Sequence, residues 1–399
     1  MAITIEQQPT YPNVTYTSLL YAVSSTTTEA PQFQYVMDVV SGSQILTRIK
    51  QYPNPSSNAI FEVGRILNDY LEYPTDVFDI TSSVDFGSSQ QSFTINFGEE
   101  YGTSPSSSVV LYNGSGVPGN PSVTGTTATV WPGTIDPNNG VGYNWDENYD
   151  ENIYLTSYPN SQTGSSDFNY KKVGRTDYSV IAFKGSDVES TPSNVTLKRK
   201  NGLVITTKVL GGTKDENGTY LPSGPQNLLD LGVTPTELDF AELYTISVGT
   251  HEFNFLLDGC NDNYDRVNFL FINKFGVWDN YGVNLPFNKT TNLNRKSIMK
   301  PFVNYSSTTS PYDASRRGMD YYNISTTDSY TISTDFLTRD EAAWLSEMIE
   351  SPSVFIQTAN GFSPIVITNS AYTHNTNKKA QRIFQYTIEY QFANQRIGR

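Results

Sequence analysis

The sequence contains little of the chemistry on which enzymes and metal sites usually depend. Its 399 residues include one cysteine, Cys260, and two histidines, His251 and His374. A single cysteine excludes an internal disulfide framework and any zinc site built from several cysteines, and its apolar surroundings predict a buried thiol. The histidines have no metal-binding spacing, and the carboxylate clusters at 146–151 and 258–265 lack the spacing of an EF-hand calcium loop. We therefore expect no catalytic site, no metal and no cofactor.

Long apolar runs are also absent, and basic residues are missing from a quarter of the chain. No stretch of about 18 apolar residues occurs, so the sequence predicts no membrane span. Residues 66–170 contain no Lys or Arg but thirteen Asp and Glu, whereas the whole chain has a formal net charge of −14. Because a nucleic-acid-binding protein normally presents a dominant basic face, we expect no nucleic acid as the main partner.

The acidic stretch 66–170 has two interpretations. It can be solvated loop surface, or it can be one half of an electrostatic contact between neighbouring subunits. In the second interpretation, basic groups elsewhere in the chain supply the complementary surface. The candidate interface residues are Lys198, Arg199, Lys200, Lys378, Lys379, Arg382, Asp146, Glu147, Asp150 and Glu151.

Short segments with alternating apolar and polar residues predict antiparallel strands. The clearest is FQYTIEYQF near the C-terminus, and the same alternation occurs in FQYVMDVV and QSFTINFGEEY. Asn201-Gly202 lies between two β-prone runs and predicts a hairpin closed by a type I′ turn. The apolar residues of the C-terminal strand are Phe384, Tyr386, Ile388, Tyr390 and Phe392.

Two segments have helical rather than alternating patterns. The first, at about 57–71, places six apolar residues on one helical face and ends before Pro74. The second, at 338–350, begins with Thr338 and Glu341 in the spacing of a capping box and ends before Pro352. Its apolar stripe should pack on the C-terminal strand, with Trp344 as a core residue. The six apolar residues of the first helix are Ile60, Val63, Ile66, Leu67, Tyr70 and Leu71.

These patterns predict a mainly β protein with antiparallel, β-sandwich-like domains, two short packed helices and a long loop-rich insertion. We expect an N-terminal β domain at 1–100 and an acidic insertion rich in Gly, Ser and Asn at 101–170. A β-rich middle region at 171–245 and a C-terminal β domain at 246–399 should follow.

Two segments resemble sequence patterns of a known group of proteins. VNFLFINKFGVWDNYGVNLPF at 267–287 resembles an "FLN-x-x-G-x-WD" strand–turn–strand pattern, and FLTRDEAAWLSEMIESPSVFIQ at 336–357 resembles an "LT-x-x-E-x-x-x-L" helix followed by a strand. Both patterns are similar to those in structural proteins of bacteriophages that infect Bacteroidetes, crAss-like or related. Phe336 stands where that pattern has Trp or another aromatic residue, and the insertion at 101–170 lies outside the resemblance. The matching residues of the first pattern are Phe271, Ile272, Asn273, Gly276, Trp278 and Asp279.

The resemblance implies a non-enzymatic structural protein of a virion, made in the host cytoplasm and present in several copies in the tail, neck or portal-proximal assembly. Its partners would be other copies of itself and other virion proteins. One alternative is a receptor- or glycan-binding surface module, in which the aromatic residues of 101–170 contact the host surface. A second alternative is a carbohydrate-active depolymerase, since such enzymes use paired carboxylates.

Overall fold

A computed structural model describes most of the chain. The described residues are 3–9, 11, 13–15, 18–71, 75–85, 91–102, 126–131, 153–156, 158, 170–185, 192–212, 214, 218–258, 264–300, 308, 318–369 and 384–394. The fold is mainly β with several antiparallel sheets, as the alternating patterns predicted. The chain divides into two compact units: unit 1 comprises Met1–Gly259 and Ile272–Asn280, and unit 2 comprises Cys260–Phe271 and Tyr281–Arg399.

Unit 1 begins with two sheets that share one core. The strands are β1 Thr4–Gln7, β2 Asn13–Val14, β3 Leu20–Ser24, β4 Gln34–Ser41, β5 Gln44–Gln51, β6 Asn58–Glu62, β8 Gln91–Glu100 and β9 Thr126–Trp131. The intervening strand β7 Val84–Asp85 belongs to a different sheet, in which it pairs with the later strand at Thr219–Pro222. One sheet has the order β1-β3-β6 and the other β2-β9-β8-β4-β5. Phe97 of β8 meets Tyr21 of β3 and Phe61 of β6 at ring-centroid distances of 5.1 and 5.8 Å. The two sheets therefore form a sandwich-like layer pair.

The rest of unit 1 contains two further sheets. The strands are β10 Ile153–Tyr154, β11 Lys171–Gly174, β12 Val180–Lys184, β13 Ser193–Lys198, β14 Val204–Leu210, β15 Thr219–Pro222, β16 Leu243–Val248 and β17 His251–Asp258. They form the sheets β10-β12-β15-β7 and β11-β17-β16-β13-β14. Because β16 pairs with β13 on one side and β17 on the other, the domain boundary expected at 245/246 falls inside a central strand.

Unit 2 is built around one sheet of seven strands. After β18 Val267–Ile272 and β19 Trp278–Val283 come β20 Phe287–Met299, β21 Met319–Ser333, β22 Val354–Thr358, β23 Gly361–Ile367 and β24 Thr387–Phe392. The strand order is β19-β18-β22-β23-β24-β21-β20. Residues Ile272–Asn280, which include the turn between β18 and β19, are assigned to unit 1.

The described residues contain four helices where the sequence predicted two. They are α1 Gly64–Asn68, α2 Pro225–Asp230, α3 Pro235–Phe240 and α4 Arg339–Glu350. The helix expected at 338–350 is confirmed as α4, and the hydroxyl of its N-cap Thr338 accepts a bond from the Glu341 amide. Trp344, Leu345 and Met348 are buried, as are Phe384, Tyr386, Ile388 and Tyr390 of the predicted core, whereas Ile349 is only half-buried.

The helix expected at about 57–71 is largely wrong. Only Gly64–Asn68 is helical, and Asn58–Glu62 is strand β6, paired with β3. Ala59 and Phe61 are buried while Ile60 is 52% exposed, which is the period of a strand rather than that of a helix. The Asn54 side chain accepts bonds from the Ser56 and Asn58 amides, and these bonds close the turn that leads into β6.

The hairpin predicted at Asn201-Gly202 joins β13 and β14, but its turn differs from the expected type I′. Gly202 has a positive φ of 80°, whereas Asn201 is not in the left-handed region. The Gly202 amide donates to the Arg199 carbonyl, and the Arg199 amide donates to the Leu203 carbonyl. This pattern is that of a three-residue loop in which glycine alone needs the left-handed conformation.

Candidate assembly surface

The first sequence pattern that suggested a virion protein forms a buried turn. Gly276 has a φ of 78°, and its amide donates to the Asn273 carbonyl. The Asn273 side-chain oxygen accepts from the Phe275 and Val277 amides, and its Nδ2 donates to the Leu155 carbonyl at 3.0 Å. Every one of these contacts lies within unit 1. The pattern thus specifies the shape of a turn and its attachment to the interior.

Asp279, the last residue of that pattern, forms a buried ion pair. Its Oδ1 lies 2.5 Å from Lys171 Nζ, and the two side chains are 0% and 2% exposed. Its Oδ2 accepts from the Thr156 hydroxyl at 2.7 Å, and Oδ1 also accepts from the Asn280 amide. Because both oxygens are occupied and solvent is excluded, the carboxylate is suited to stabilising the fold rather than to acting on a solute.

A second buried polar network surrounds Ser179 in unit 1. Its hydroxyl donates to Asn280 Oδ1 and accepts from the Ser223 hydroxyl. The Asn227 amide group donates to the carbonyls of Phe78 and Ile80 and accepts from the Ser179 amide. These bonds satisfy polar groups that would otherwise be costly to bury. The interior of unit 1 therefore depends on polar contacts between segments that are far apart in sequence.

Unit 2 presents a different kind of feature, a long two-stranded ribbon formed by β20 and β21. The strands pair antiparallel from Phe287 with Ile332 to Met299 with Met319. Only Tyr330–Ser333 of β21 pairs with the next strand, β24. The remaining residues of β21, Met319–Ser329, have β20 as their only neighbouring strand in the described residues. At about 3.3 Å per residue they extend roughly 35 Å beyond the sheet.

Every residue of β20 is exposed, and β20 is the edge strand of its sheet. One row of its backbone N–H and C=O groups has no neighbouring strand in the part of the chain that the structure describes. An exposed edge of this length is a template for pairing with another chain. We therefore treat the ribbon, residues 287–299 and 319–333, as the candidate assembly surface.

The two faces of the ribbon differ in polarity. Strand register places alternate residues on opposite faces, and a bulge between Lys296 and Ser297 brings Tyr321 onto the same face as Arg295. The Arg295 guanidinium lies 5.7 Å from the Tyr321 ring centroid, as this arrangement requires. The opposite face carries Asn, Thr, Ser and Lys side chains together with Asp320, and Ile298 is its apolar residue. We call the first side the apolar face; its exposed apolar residues are Leu293 52%, Met299 81%, Met319 54% and Tyr321 48%, with Ile324 half-buried.

The apolar face continues a surface that is buried at the base of the ribbon. There Ile332 is 1% exposed, and Tyr330 stacks on Tyr390 of β24 at 5.2 Å. Phe269 packs edge-on against Tyr390, and Phe271 contacts Trp344 of α4. The side of the sheet that carries α4 therefore extends outward along the ribbon, where none of the described helices covers it. Burial, and then the charge of Tyr330, raise the pKa of Tyr390 to about 12.

The ribbon also carries a local basic charge. Residues 287–300 include four basic side chains and no acidic one, within a chain of net charge −14. Lys289 pairs with Asp328 at 2.8 Å, which raises the pKa of Lys289, and Lys300 pairs with Asp320. Arg295 and Lys296 form no ion pair with any described residue. Two positive charges that no described residue compensates thus lie on the exposed edge strand.

Of the interface residues predicted from the sequence, three lie among the described residues. Lys198 is half-buried and donates to the Thr245 hydroxyl at 3.3 Å, and Arg199 and Lys200 are exposed at the β13–β14 turn. Arg199 lies 5.4 Å from the Phe240 ring centroid. The structure neither pairs these groups with acidic residues nor tests them as an interface, so the contact stays a prediction. Lys378, Lys379, Arg382, Asp146, Glu147, Asp150 and Glu151 lie outside the described residues.

The other chemistry-bearing residues can be placed only in part. His251 lies on β17, where its ring contacts Phe183 at 5.6 Å. His374, the acidic cluster at 146–151 and residues 259–263, which include Cys260, lie outside the described residues. Within the described ranges, no group of three or more His, Cys, Asp or Glu is arranged to hold a metal ion. None of the helices in those ranges is long and apolar enough to cross a membrane.

Comparison with known proteins adds no assignment: no protein-family model matches the chain, and neither does any curated protein.

The ribbon was not foreseen from the sequence. β20 reads FNKTTNLNRKSIM, which is dominated by polar residues and lacks the clean alternation of a half-buried strand. Arg295 and Lys296 are adjacent basic residues in the sequence, but no local pattern places them on an edge strand. A closer signal was available in β21, where Tyr330 and Ile332 alternate with polar neighbours.

Proposed function

We propose that this chain is a non-enzymatic structural protein of a bacteriophage virion, present in several copies in the tail, neck or portal-proximal assembly. The observation that carries the proposal is the β20–β21 ribbon. Its basis in sequence is the resemblance of 267–287 and 336–357 to structural proteins of phages that infect Bacteroidetes.

The physical argument starts from the weakness of isolated ribbons. A two-stranded hairpin is at best marginally stable in water, and three or more strands or a covering helix are normally needed. Ordering each backbone residue costs about 1–2 kcal/mol, and an exposed ribbon recovers little of this by burial. A ribbon with an apolar face and an open edge is therefore better suited to a chain that becomes buried in an assembly than to one that acts alone.

The buried turn at Asn273–Asp279 supports the same conclusion from another direction. The residues that carry the resemblance contribute to the interior of unit 1, through the Asn273 and Asp279 contacts. Asn273 and Asp279 determine the shape of this turn, so a sequence pattern that contains them identifies a fold. The likeness is thus one of architecture, and it bears on the class of protein rather than on a reaction.

Particle composition tests the proposal. An antibody raised against this chain should bind intact, purified phage particles at the tail or neck in electron micrographs. Several antibodies should bind each particle, and their number should be the same from particle to particle. The control is a phage-encoded enzyme released during lysis, which should be lost on purification. Recovery of this chain only in the soluble lysate, with none in particles, would contradict the proposal.

A further inference from the structure

We propose that the β20–β21 ribbon binds a second copy of this chain, with the basic edge strand of one copy lying on the acidic outer face of α4 in the next. The inference rests on the proposed function as a protein present in several copies, and it names the contact through which those copies would assemble. It joins three observations: the apolar face, the open edge and the positive charges at Arg295 and Lys296.

Charge decides which surface can cover the ribbon. Pairing of β20 with the β20 of another copy would bring together two strands that each carry Lys289, Arg295 and Lys296 and no acid. Like charges across an interface disfavour that arrangement. The opposite edge of the same sheet, β19, is buried along its whole length and offers no alternative. The covering surface must therefore be acidic and lie elsewhere on the neighbour.

Unit 2 carries such a surface on α4. Asp340, Glu347 and Glu350 are spaced so that they lie on one side of the helix, opposite the buried Leu345, and Glu347 is half-buried. The buried Trp344 borders this side. Phe336, in the segment before the helix, is 73% exposed. Residues 335–350 contain five acidic side chains and one basic one, Arg339. The segment thus combines a negative charge with an exposed aromatic ring, which matches a basic ribbon with an apolar face.

The contact would be heterologous, because the ribbon and the α4 surface are different parts of each copy. Such head-to-tail contacts produce closed rings when the rotation between copies closes, and open filaments when it does not. Each copy would use both surfaces, so disabling either should prevent growth. This property allows a decisive charge-swap experiment.

The experiment measures the size of the purified full-length chain by mass photometry and sedimentation velocity. Wild type should form oligomers at about 50 mM salt and dissociate in part at about 500 mM, since exposed charges are screened. The ribbon variant R295E/K296E should remain monomeric with an unchanged melting temperature. The helix variant E347K/E350K should also remain monomeric, with the circular dichroism spectrum of the folded wild type, because basic residues are tolerated in the last turn of a helix. Mixed together they should associate again, because each presents a surface complementary to the other.

The matched control is R199E/K200E, which reverses two exposed basic residues on the β13–β14 hairpin and should leave the final oligomer size unchanged. A monomeric wild type, a ribbon variant that assembles like wild type, or a mixture that stays monomeric would each overturn the inference. Cross-linking of the ribbon to a different virion protein in intact particles would also overturn it while leaving the proposed function standing. Absence of the chain from particles would instead remove the proposed function.

Discussion

Two consecutive hairpins of this chain have opposite relations to solvent. In β18–β19 every strand residue is buried, and the turn residues are bonded through the Asn273 and Asp279 side chains. In β20–β21, which begins only four residues later, every residue of the first strand is exposed. A hairpin can therefore form without being buried. The β18–β19 hairpin is buried within its own chain, whereas the β20–β21 hairpin leaves a surface open to another molecule.

The largest expected effect is on the first hairpin. Asp279→Ala would remove the ion-pair partner of the buried Lys171 ammonium group, which should lower the free energy of unfolding by about 3–5 kcal/mol. The matched change on the ribbon is Asp328→Ala, which removes the half-buried partner of the exposed Lys289 and the acceptor of the Thr291 hydroxyl, and should cost much less because solvent screens the pair. Urea denaturation followed by circular dichroism measures both.

A second substitution checks the cause of this difference. Lys171→Met in the Asp279→Ala background removes the buried ammonium charge and should recover part of the lost free energy of unfolding. If the double variant is no more stable than Asp279→Ala alone, the loss arises from packing and not from the charge.

A smaller contrast is expected between two leucines of unit 2. Leu345 is fully buried, so Leu345→Ala should cost about 2–5 kcal/mol, whereas Leu293 on the ribbon is 52% exposed and its replacement should stay within about 0.5 kcal/mol. Thermal unfolding of the two variants gives the comparison. Equal shifts in melting temperature would mean that the ribbon is already covered in the isolated protein.

Alkaline pH should affect the base of the ribbon through Tyr390. A tyrosine in the unfolded chain has a pKa of about 10, whereas the pKa of buried Tyr390 is about 12. The unfolded state therefore loses its proton first, and stability should fall as the pH rises from about 10 to about 12. Tyr390→Phe should weaken this pH dependence when unfolding is measured across the same range, and an identical slope in the variant would contradict the assignment.

The smallest effect is expected at the other basic hairpin. R199E/K200E should change the free energy of unfolding by less than about 0.5 kcal/mol, because both side chains are exposed. If the turn faces the acidic stretch 66–170 of a neighbour, the variant should slow assembly and reduce its salt dependence without altering the final oligomer. Stopped-flow light scattering would detect this, and unchanged rates at every salt concentration would identify the turn as ordinary solvated surface.

Features encoded by nearby residues were predictable, and those that depend on distant ones were not. The alternation around Phe384–Phe392 and the Thr338–Glu341 capping box correctly gave β24 and α4, since both signals are local. The expectation at 57–71 was wrong because Ile60, Val63 and Leu67 also fit a helical stripe, and only pairing with β3 decides for a strand. The Lys171–Asp279 pair joins residues 108 positions apart and leaves no sequence signal.

The same separation has a consequence for how the chain matures on the ribosome. Lys171 is synthesised 108 residues before Asp279. At about 5–20 residues per second, its partner emerges roughly 5–20 seconds later. Until then the ammonium group of Lys171 must stay hydrated, so the part of unit 1 around it has to remain open. The interior of unit 1 can close only after Ile272–Asn280 has been made, which postpones its completion until synthesis of unit 2 has already begun.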